Sequence, residues 1–233
     1  MEAKLIQSSL VPAKGLFHDS VEIAFRSVPF SEVGGDFADF FRLPDGLIGI
    51  YLGDVVGKGL PAAMYSALVM GTLRGIRKTG TNTADVLTIL NERLVQRPLP
   101  GRFCSTLYAL FVPSTRELIF SNAGMPLPLL ASQPASRLGG GGFPSGLFPG
   151  ATYDRHVIQL AAGDCVLFAS DGLHESRNPQ EVEFCTARIT AVWTQCSRKS
   201  AAESVDFVFD HLLSFSDGAP AHDDITAIVL KVL

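Results

Sequence analysis

Apolar positions in this chain follow two rhythms: short runs bounded by turn residues, and longer stretches at helical spacing. Leu47 to Leu52, Ser105 to Val112, Cys165 to Ala169 and Ile225 to Leu230 are runs rich in Ile, Val, Leu, Tyr and Phe, and they predict buried strands. Val21 to Ser27 alternates well enough for another. Phe37 to Leu43 and Leu47 to Leu52 flank Pro44-Asp45-Gly46, a hairpin turn in which Pro fixes φ and Gly supplies φ > 0. A second hairpin is predicted from Ser105 to Val112 and Glu117 to Ser121, around Pro113-Ser114-Thr115. Pro61 opens a helix continued by Ala62 to Lys78, with Met64, Leu68, Leu73 and Ile76 apolar. The next helix, Asn82–Gln96, starts at a good cap and carries Val86, Leu87, Leu90 and Leu94. Val182 to Gln195 predicts a third, and the capping box Ser200-Ala201-Ala202-Glu203 opens a fourth that runs to about Phe215. Leu5, Ile6, Leu10 and Val11 make residues 1–14 an amphipathic lead-in, a helix or the end of a linker. The Gly-, Pro- and Ser-rich stretch 131–150 reads as a flexible loop and not as a domain linker, because strands continue on both sides.

Composition bounds the picture. A chain of 233 residues, 47% apolar, supports one sizeable core with layers of sheet and helices outside them. The net charge is −4 and no Lys/Arg-rich run is present, which leaves nucleic-acid binding without electrostatic support. No run approaches 18 apolar residues, so no transmembrane helix is expected and no membrane partner. The N-terminus has no signal core, and Cys104, Cys165, Cys185 and Cys196 follow no metal or redox spacing, so a reduced, cytoplasmic location is expected.

The chemistry is carried by four acidic clusters: Gly34-Gly35-Asp36, Gly53-Asp54, Ser170-Asp171-Gly172 and Asp223-Asp224. Each lies beside a predicted strand, and the first hairpin brings Asp36 and Asp54 to the same end. A lone Asp of this kind usually just closes a turn; four of them suggest carboxylates converging on a cation. All the donors are hard oxygens, which suit Mg²⁺ or Mn²⁺. Two motifs mislead. Gly34-Gly35-Asp36-Phe37 resembles part of a diguanylate cyclase signature but lacks the acidic residue and Phe directly after the Asp, and Gly53 to Gly59 lacks P-loop spacing. Lys58 reads as a solvated charge or as an attractor for an anionic substrate, His174 and His222 as surface residues or proton carriers, and Arg74, Arg77 and Lys78 as complements to a helix dipole or a docking patch.

Five phrases in order carry a resemblance. They are Val33 to Phe41, Gly53-Asp54-Val55-Val56-Gly57-Lys58-Gly59-Leu60-Pro61-Ala62-Ala63-Met64, Ser121 to Pro126, Ser170-Asp171-Gly172-Leu173-His174-Glu175, and Asp223-Asp224-Ile225-Thr226. The chain resembles the PPM-type (type 2C-like) metal-dependent Ser/Thr protein phosphatases, in their bacterial SpoIIE/RsbU-like branch. The resemblance implies an α+β fold, an α-β-β-α sandwich of two mainly antiparallel sheets packed face to face with helices on both outer faces. It implies a phosphatase domain over residues 15–233 and two Mn²⁺ or Mg²⁺ ions. Asp36, Asp54 and the Val55 carbonyl would hold one ion, and Asp54 would bridge to a second held by Asp171 and Asp223. Asp39, Gly172 and Asp224 would support them. A water activated by the metals would attack phosphoserine or phosphothreonine in line. The implied partner is a phosphorylated protein, an anti-sigma-factor antagonist of STAS type, with a homodimer or upstream sensor as regulator acting through the two helices after Asp54. Met125 stands where relatives commonly have His, Val56 where they often have Ser, and Arg26 lies too far upstream of Asp36 to match the phosphate-gripping Arg of eukaryotic relatives. A non-catalytic regulatory module of the same fold and a small-molecule phosphoester hydrolase are the alternatives.

Overall fold

The computed structural model describes residues 2–76 and 82–233. In chain order its elements are α1 (Glu2–Leu10), β1 (Leu16–His18), β2 (Val21–Val28), β3 (Phe37–Arg42), β4 (Ile48–Val55), α2 (Gly59–Ile76), α3 (Thr83–Gln96), β5 (Cys104–Val112), β6 (Glu117–Ala123), β7 (Leu129–Leu130), β8 (Ser136–Arg137), β9 (His156–Gln159), β10 (Cys165–Ala169), α4 (Asp171–Glu175), α5 (Cys185–Trp193), α6 (Ala201–Ser216) and β11 (Ile225–Val232). They form two compact units, each built from three separate stretches of chain, which is why no boundary shows along the sequence.

The first unit comprises Met1–Ala13, Ser31–Met125 and Gly139–Gln159. Its antiparallel sheet has the order β3-β4-β5-β6-β9. The Pro44-Asp45-Gly46 turn forms as predicted, with Gly46 at φ +83° and Leu43 N–H donating to the Leu47 carbonyl at 2.8 Å. β4 is buried at every position but Asp54, as its unbroken apolar run requires. On this sheet pack Ala62, Tyr65, Val69, Met70 and Leu73 of α2 and Val86, Leu87, Leu90 and Leu94 of α3, against Tyr51, Tyr108 and Leu110. The helix expected at Pro61–Lys78 begins at Gly59; Arg77 and Lys78 lie outside the described residues. The Asn82 side chain caps α3 by accepting from Ala84 N–H at 3.1 Å.

The stretch read as a flexible loop is in part fastened down. Ser145 exchanges two backbone hydrogen bonds with Cys104, at 2.8 and 3.0 Å. The buried Asn91 side chain of α3 accepts from Gly146 N–H at 2.8 Å and donates to the Phe148 carbonyl at 3.2 Å. A low-complexity sequence hides such anchors because their partners lie on a distant strand and helix.

The second unit comprises Lys14–Phe30, Pro126–Leu138 and Leu160–Leu233. Its antiparallel sheet has the order β1-β2-β11-β10-β7-β8. β11 is buried along its whole length and pairs with β2 on one side and β10 on the other. Val205, Val208, Phe209 and Leu212 of α6, with Ile189 and Trp193 of α5, cover Leu167, Ala227 and Val229. The Trp193 indole N–H donates to the Leu129 carbonyl at 2.9 Å, satisfying the polar edge of a fully buried ring. The helix expected over Val182–Gln195 is shorter. Asn178 Oδ1 accepts from Gln180 N–H at 3.1 Å and Val182 N–H at 3.0 Å, which holds the chain in a turn, and the helix starts only at Cys185. The capping box at Ser200 and Glu203 forms as read.

Candidate active site

In the first unit, Asp36 immediately precedes β3 and is 9% exposed. Its successor Phe37 pairs across the ladder with Gly53, so the hairpin places Asp36 and Asp54 at one end of two neighbouring strands. Gly35 makes the approach close. A Cβ there would stand 2.8 Å from the Val55 carbonyl oxygen and 3.0 Å from Asp54 Oδ1, nearer than a side chain can go. The half-buried Asp54 carboxylate and the Val55 carbonyl therefore meet beside Gly35, the residue directly before Asp36, in one oxygen-rich corner. Beyond it Gly57 turns with φ +100°, and the Arg102 guanidinium donates to the Val56 carbonyl. Burial pushes the nearby Cys104 thiol up to about 12, against a smaller opposing effect of the Thr106 hydroxyl, so sulfur is neutral there and no thiolate competes as a ligand.

In the second unit, Asp171 is the first residue of α4, directly after β10 and Ser170. A Cβ on Gly172 would overlap the Asp224 carbonyl oxygen and stand 3.5 Å from Asp223 Cβ. Glycine thus lets the start of α4 sit against the 223–224 turn, which brings Asp171 beside Asp223. Partial desolvation, then the Asp223 carboxylate, raises the Asp171 carboxyl above its ordinary 3.8, although its side chain still reaches water. Asp224 does structural work: its Oδ1 accepts from Phe30 N–H at 2.7 Å, and its carbonyl accepts from Ser170 Oγ at 3.4 Å.

The remaining candidates separate. Asp39 lies on β3 and is engaged by Arg74 and by the Tyr51 hydroxyl, so its carboxylate anchors α2. Arg74 is a fastener between secondary-structure elements, where the sequence suggested a dipole or docking role. His174 is half-buried rather than on the surface; its Nδ1 lies 3.3 Å from the Ser170 carbonyl, and burial lowers its pKa, which keeps it neutral. His222 is exposed. Arg26 pairs with Asp206 at 3.1 Å and lies over the Phe209 ring. Met125 is buried, its backbone clamped at both ends by the Asn122 side chain. Sequence reasoning missed Asn122, Asn91 and Gln7, whose partners only the fold reveals.

Among the described residues no three His, Cys, Asp or Glu side chains form a ready-made metal cage; the four candidates fall two in each unit. Each pair fits a hard divalent cation. The donors are carboxylate and carbonyl oxygens, and the Asp171 carboxyl, raised first by desolvation and then by the Asp223 carboxylate, has a neighbouring negative charge that a cation would offset.

The family model described as Stage II sporulation protein E (SpoIIE) matches residues 44–233. The chain belongs to the SpoIIE family. Asp54, Asp171 and Asp223 lie within the match and Asp36 just before it. Over 230 residues the chain is 28% identical to Phosphoserine phosphatase RsbU of Bacillus subtilis, covering 97% of itself and 68% of that protein. The SiaA PP2C domain of Pseudomonas aeruginosa superposes with a TM-score of 0.86 at 21% identity, covering 99% of this chain and 93% of that one. The RsbU and RsbW domains of a Mycobacterium tuberculosis protein give 0.78 at 25% identity, covering 95% and 61%. RsbX, solved in complex with magnesium, gives 0.69 at 14% identity, covering 94% and 99%. The SpoIIE-family chain is thus an α+β, PPM-type protein serine/threonine phosphatase domain.

Proposed function

We propose that this SpoIIE-family chain hydrolyses phosphoserine or phosphothreonine in a protein with two Mn²⁺ or Mg²⁺ ions, and that its substrate is an anti-sigma-factor antagonist of STAS type. In this reading Asp36, Asp54 and the Val55 carbonyl would hold one ion, and Asp171 and Asp223 would hold the other. The single observation that carries the proposal is the pairing in each unit. Gly35 lies against the Val55 carbonyl and the Asp54 carboxylate, and Gly172 against the Asp224 carbonyl and the Asp223 Cβ, so each glycine lets two Asp-bearing segments meet closely. Bound divalent cations supply Lewis acidity, which activates water near neutral pH and offsets charge on the phosphoryl oxygens.

The chain's own residues do the rest. Asp54 and Asp36 are held by a strand pair and Asp171 by the start of a helix, so the ligands are positioned before substrate arrives. The nearby Cys104 is a neutral, buried thiol and His174 is tied to a backbone carbonyl, which favours direct attack by water over a covalent phosphoenzyme. Each of the four cysteines is free, and no described helix is long and apolar enough to cross a membrane, both consistent with a cytoplasmic setting. The likeness to RsbU, and to a protein that carries RsbU and RsbW domains together, supports a role in sigma-factor regulation.

The test compares a phosphorylated STAS-type domain with p-nitrophenyl phosphate. Contacts remote from the phosphate should raise kcat/KM for the protein by about a hundredfold or more. Equal turnover of the small ester, with no phosphoprotein dephosphorylated in a phosphoproteomic comparison, would overturn the substrate assignment.

A further inference from the structure

Asp36 is steadied by more than the strand that follows it. Gln7, on α1, forms a two-way bridge with the backbone of Gly34. Its Nε2 donates to the Gly34 carbonyl at 2.7 Å, and Gly34 N–H donates to its Oε1 at 3.0 Å. On the other side Gly35 lies against the Val55 carbonyl and the Asp54 carboxylate. The segment Gly34-Gly35-Asp36 is therefore gripped between α1 and the end of β4. α1 has no fully buried residue over Glu2–Leu10, and its Leu5 and Ile6 are exposed. Beyond the partly buried Leu10, which packs against the core, its attachment is polar: the Gln7 bridge, and the Leu10 carbonyl accepting from Arg74 at 2.5 Å.

We propose that Gln7 is a positioning residue for Asp36, and that the seating of α1 thereby sets the metal affinity of the Asp36–Asp54 corner. The proposal rests on the metal assignment above. A carboxamide matches a peptide group donor for acceptor, so Gln7 acts on Gly34 as a neighbouring strand would. Two consecutive glycines give the segment wide backbone freedom once that bridge is gone. Metal binding would then have to order the segment as well as coordinate, and affinity falls.

The test uses the full chain and four variants. Mn²⁺ affinity is read by electron paramagnetic resonance titration, and mobility by amide exchange at Gly34. Gln7→Ala is expected to weaken Mn²⁺ binding and to speed Gly34 exchange, each by about tenfold, the loss of one to two net hydrogen bonds. Gln7→Glu keeps the acceptor for Gly34 N–H and loses the donor, so it should restore protection from exchange and only part of the affinity. It also carries the test if Gln7→Ala fails to fold by circular dichroism. Ser9→Ala, whose hydroxyl bonds back to Ile6 in its own helix, should match wild type in both readings. Wild-type Mn²⁺ affinity in Gln7→Ala, or an equal loss in Ser9→Ala, overturns the role of Gln7. Asp36→Asn separates the two levels. If it leaves Mn²⁺ affinity unchanged, the metal assignment has failed and this proposal falls with it. If it weakens binding while Gln7→Ala does not, only the Gln7 proposal is lost.

Discussion

Arg74 offers a quantitative check on the first unit. Its guanidinium donates to Asp39 Oδ2 through Nε at 3.2 Å and Nη2 at 3.1 Å, and the Tyr51 hydroxyl donates to the same oxygen at 3.2 Å. The Asp39 side chain is 14% exposed and that of Arg74 33%, so the pair is neither a surface pair nor a buried one. Surface pairs contribute about 0–1 kcal/mol, and breaking a fully buried pair costs about 3–5 kcal/mol. The intermediate exposure places Arg74→Met at about 2 kcal/mol, a fall in Tm of about 4–8 °C for a chain of this size. Asp39→Asn keeps an acceptor and should cost less, about 1 kcal/mol, while retaining partial phosphatase activity. Urea melts of both single variants and the double variant, followed by circular dichroism, give the coupling energy. A value of at least about 1 kcal/mol is expected. Coupling below about 0.3 kcal/mol would show that water replaces the pair without loss and would refute the fastening role.

Three further outcomes follow from the geometry. Gly172→Ala drives a Cβ into the backbone oxygen of Asp224, which no rotamer change relieves; it should destabilise by at least about 2 kcal/mol and abolish activity, as read by melting and turnover together. Asn91→Ala removes both anchors of the Gly146–Phe148 segment, so amide exchange at Gly146 should rise by about tenfold or more while β4 and β5 stay protected. Asp171→Asn should stabilise the EDTA-treated chain in a pH-dependent way. With the folded-state pKa raised, stability is fully present below the ordinary value, where the carboxyl is neutral folded and unfolded, and is lost as pH rises through the raised one. The Tm gap between variant and wild type should therefore open as pH climbs through the carboxylate range; a gap constant from pH 3 to 7 would deny that folding raises the Asp171 carboxyl.

Much of the fold was legible because its signals are local. The Pro44-Asp45-Gly46 turn, the buried runs of β4, β5, β10 and β11, and the Ser200–Glu203 capping box each specify geometry within a few residues. β1, β7 and β8 escaped because two or three residues carry no periodicity, and β9 because it is a four-residue strand following a long irregular stretch. The start of α5 was misplaced because apolar residues at 182 and 184 continue its pattern backwards into a turn held by Asn178. At the site, Gly beside Asp marked all four carboxylates except Asp223, which a second Asp marks. Asp39, between Ala38 and Phe40, lacks that mark, but what gives it its role is Arg74, 35 residues away. Gln7, 27 residues from Gly34, was hidden for the same reason.

The metal requirement of the Asp54 corner is the central claim. The measurement is phosphate release from a phosphoserine-bearing protein by wild type and Asp54→Asn, in EDTA and across a Mn²⁺ titration. The expected result is no turnover in EDTA, recovery on adding Mn²⁺, and at least about a hundredfold loss in Asp54→Asn at every metal concentration. Full turnover by wild type in EDTA, or near-wild-type turnover by Asp54→Asn, would contradict it.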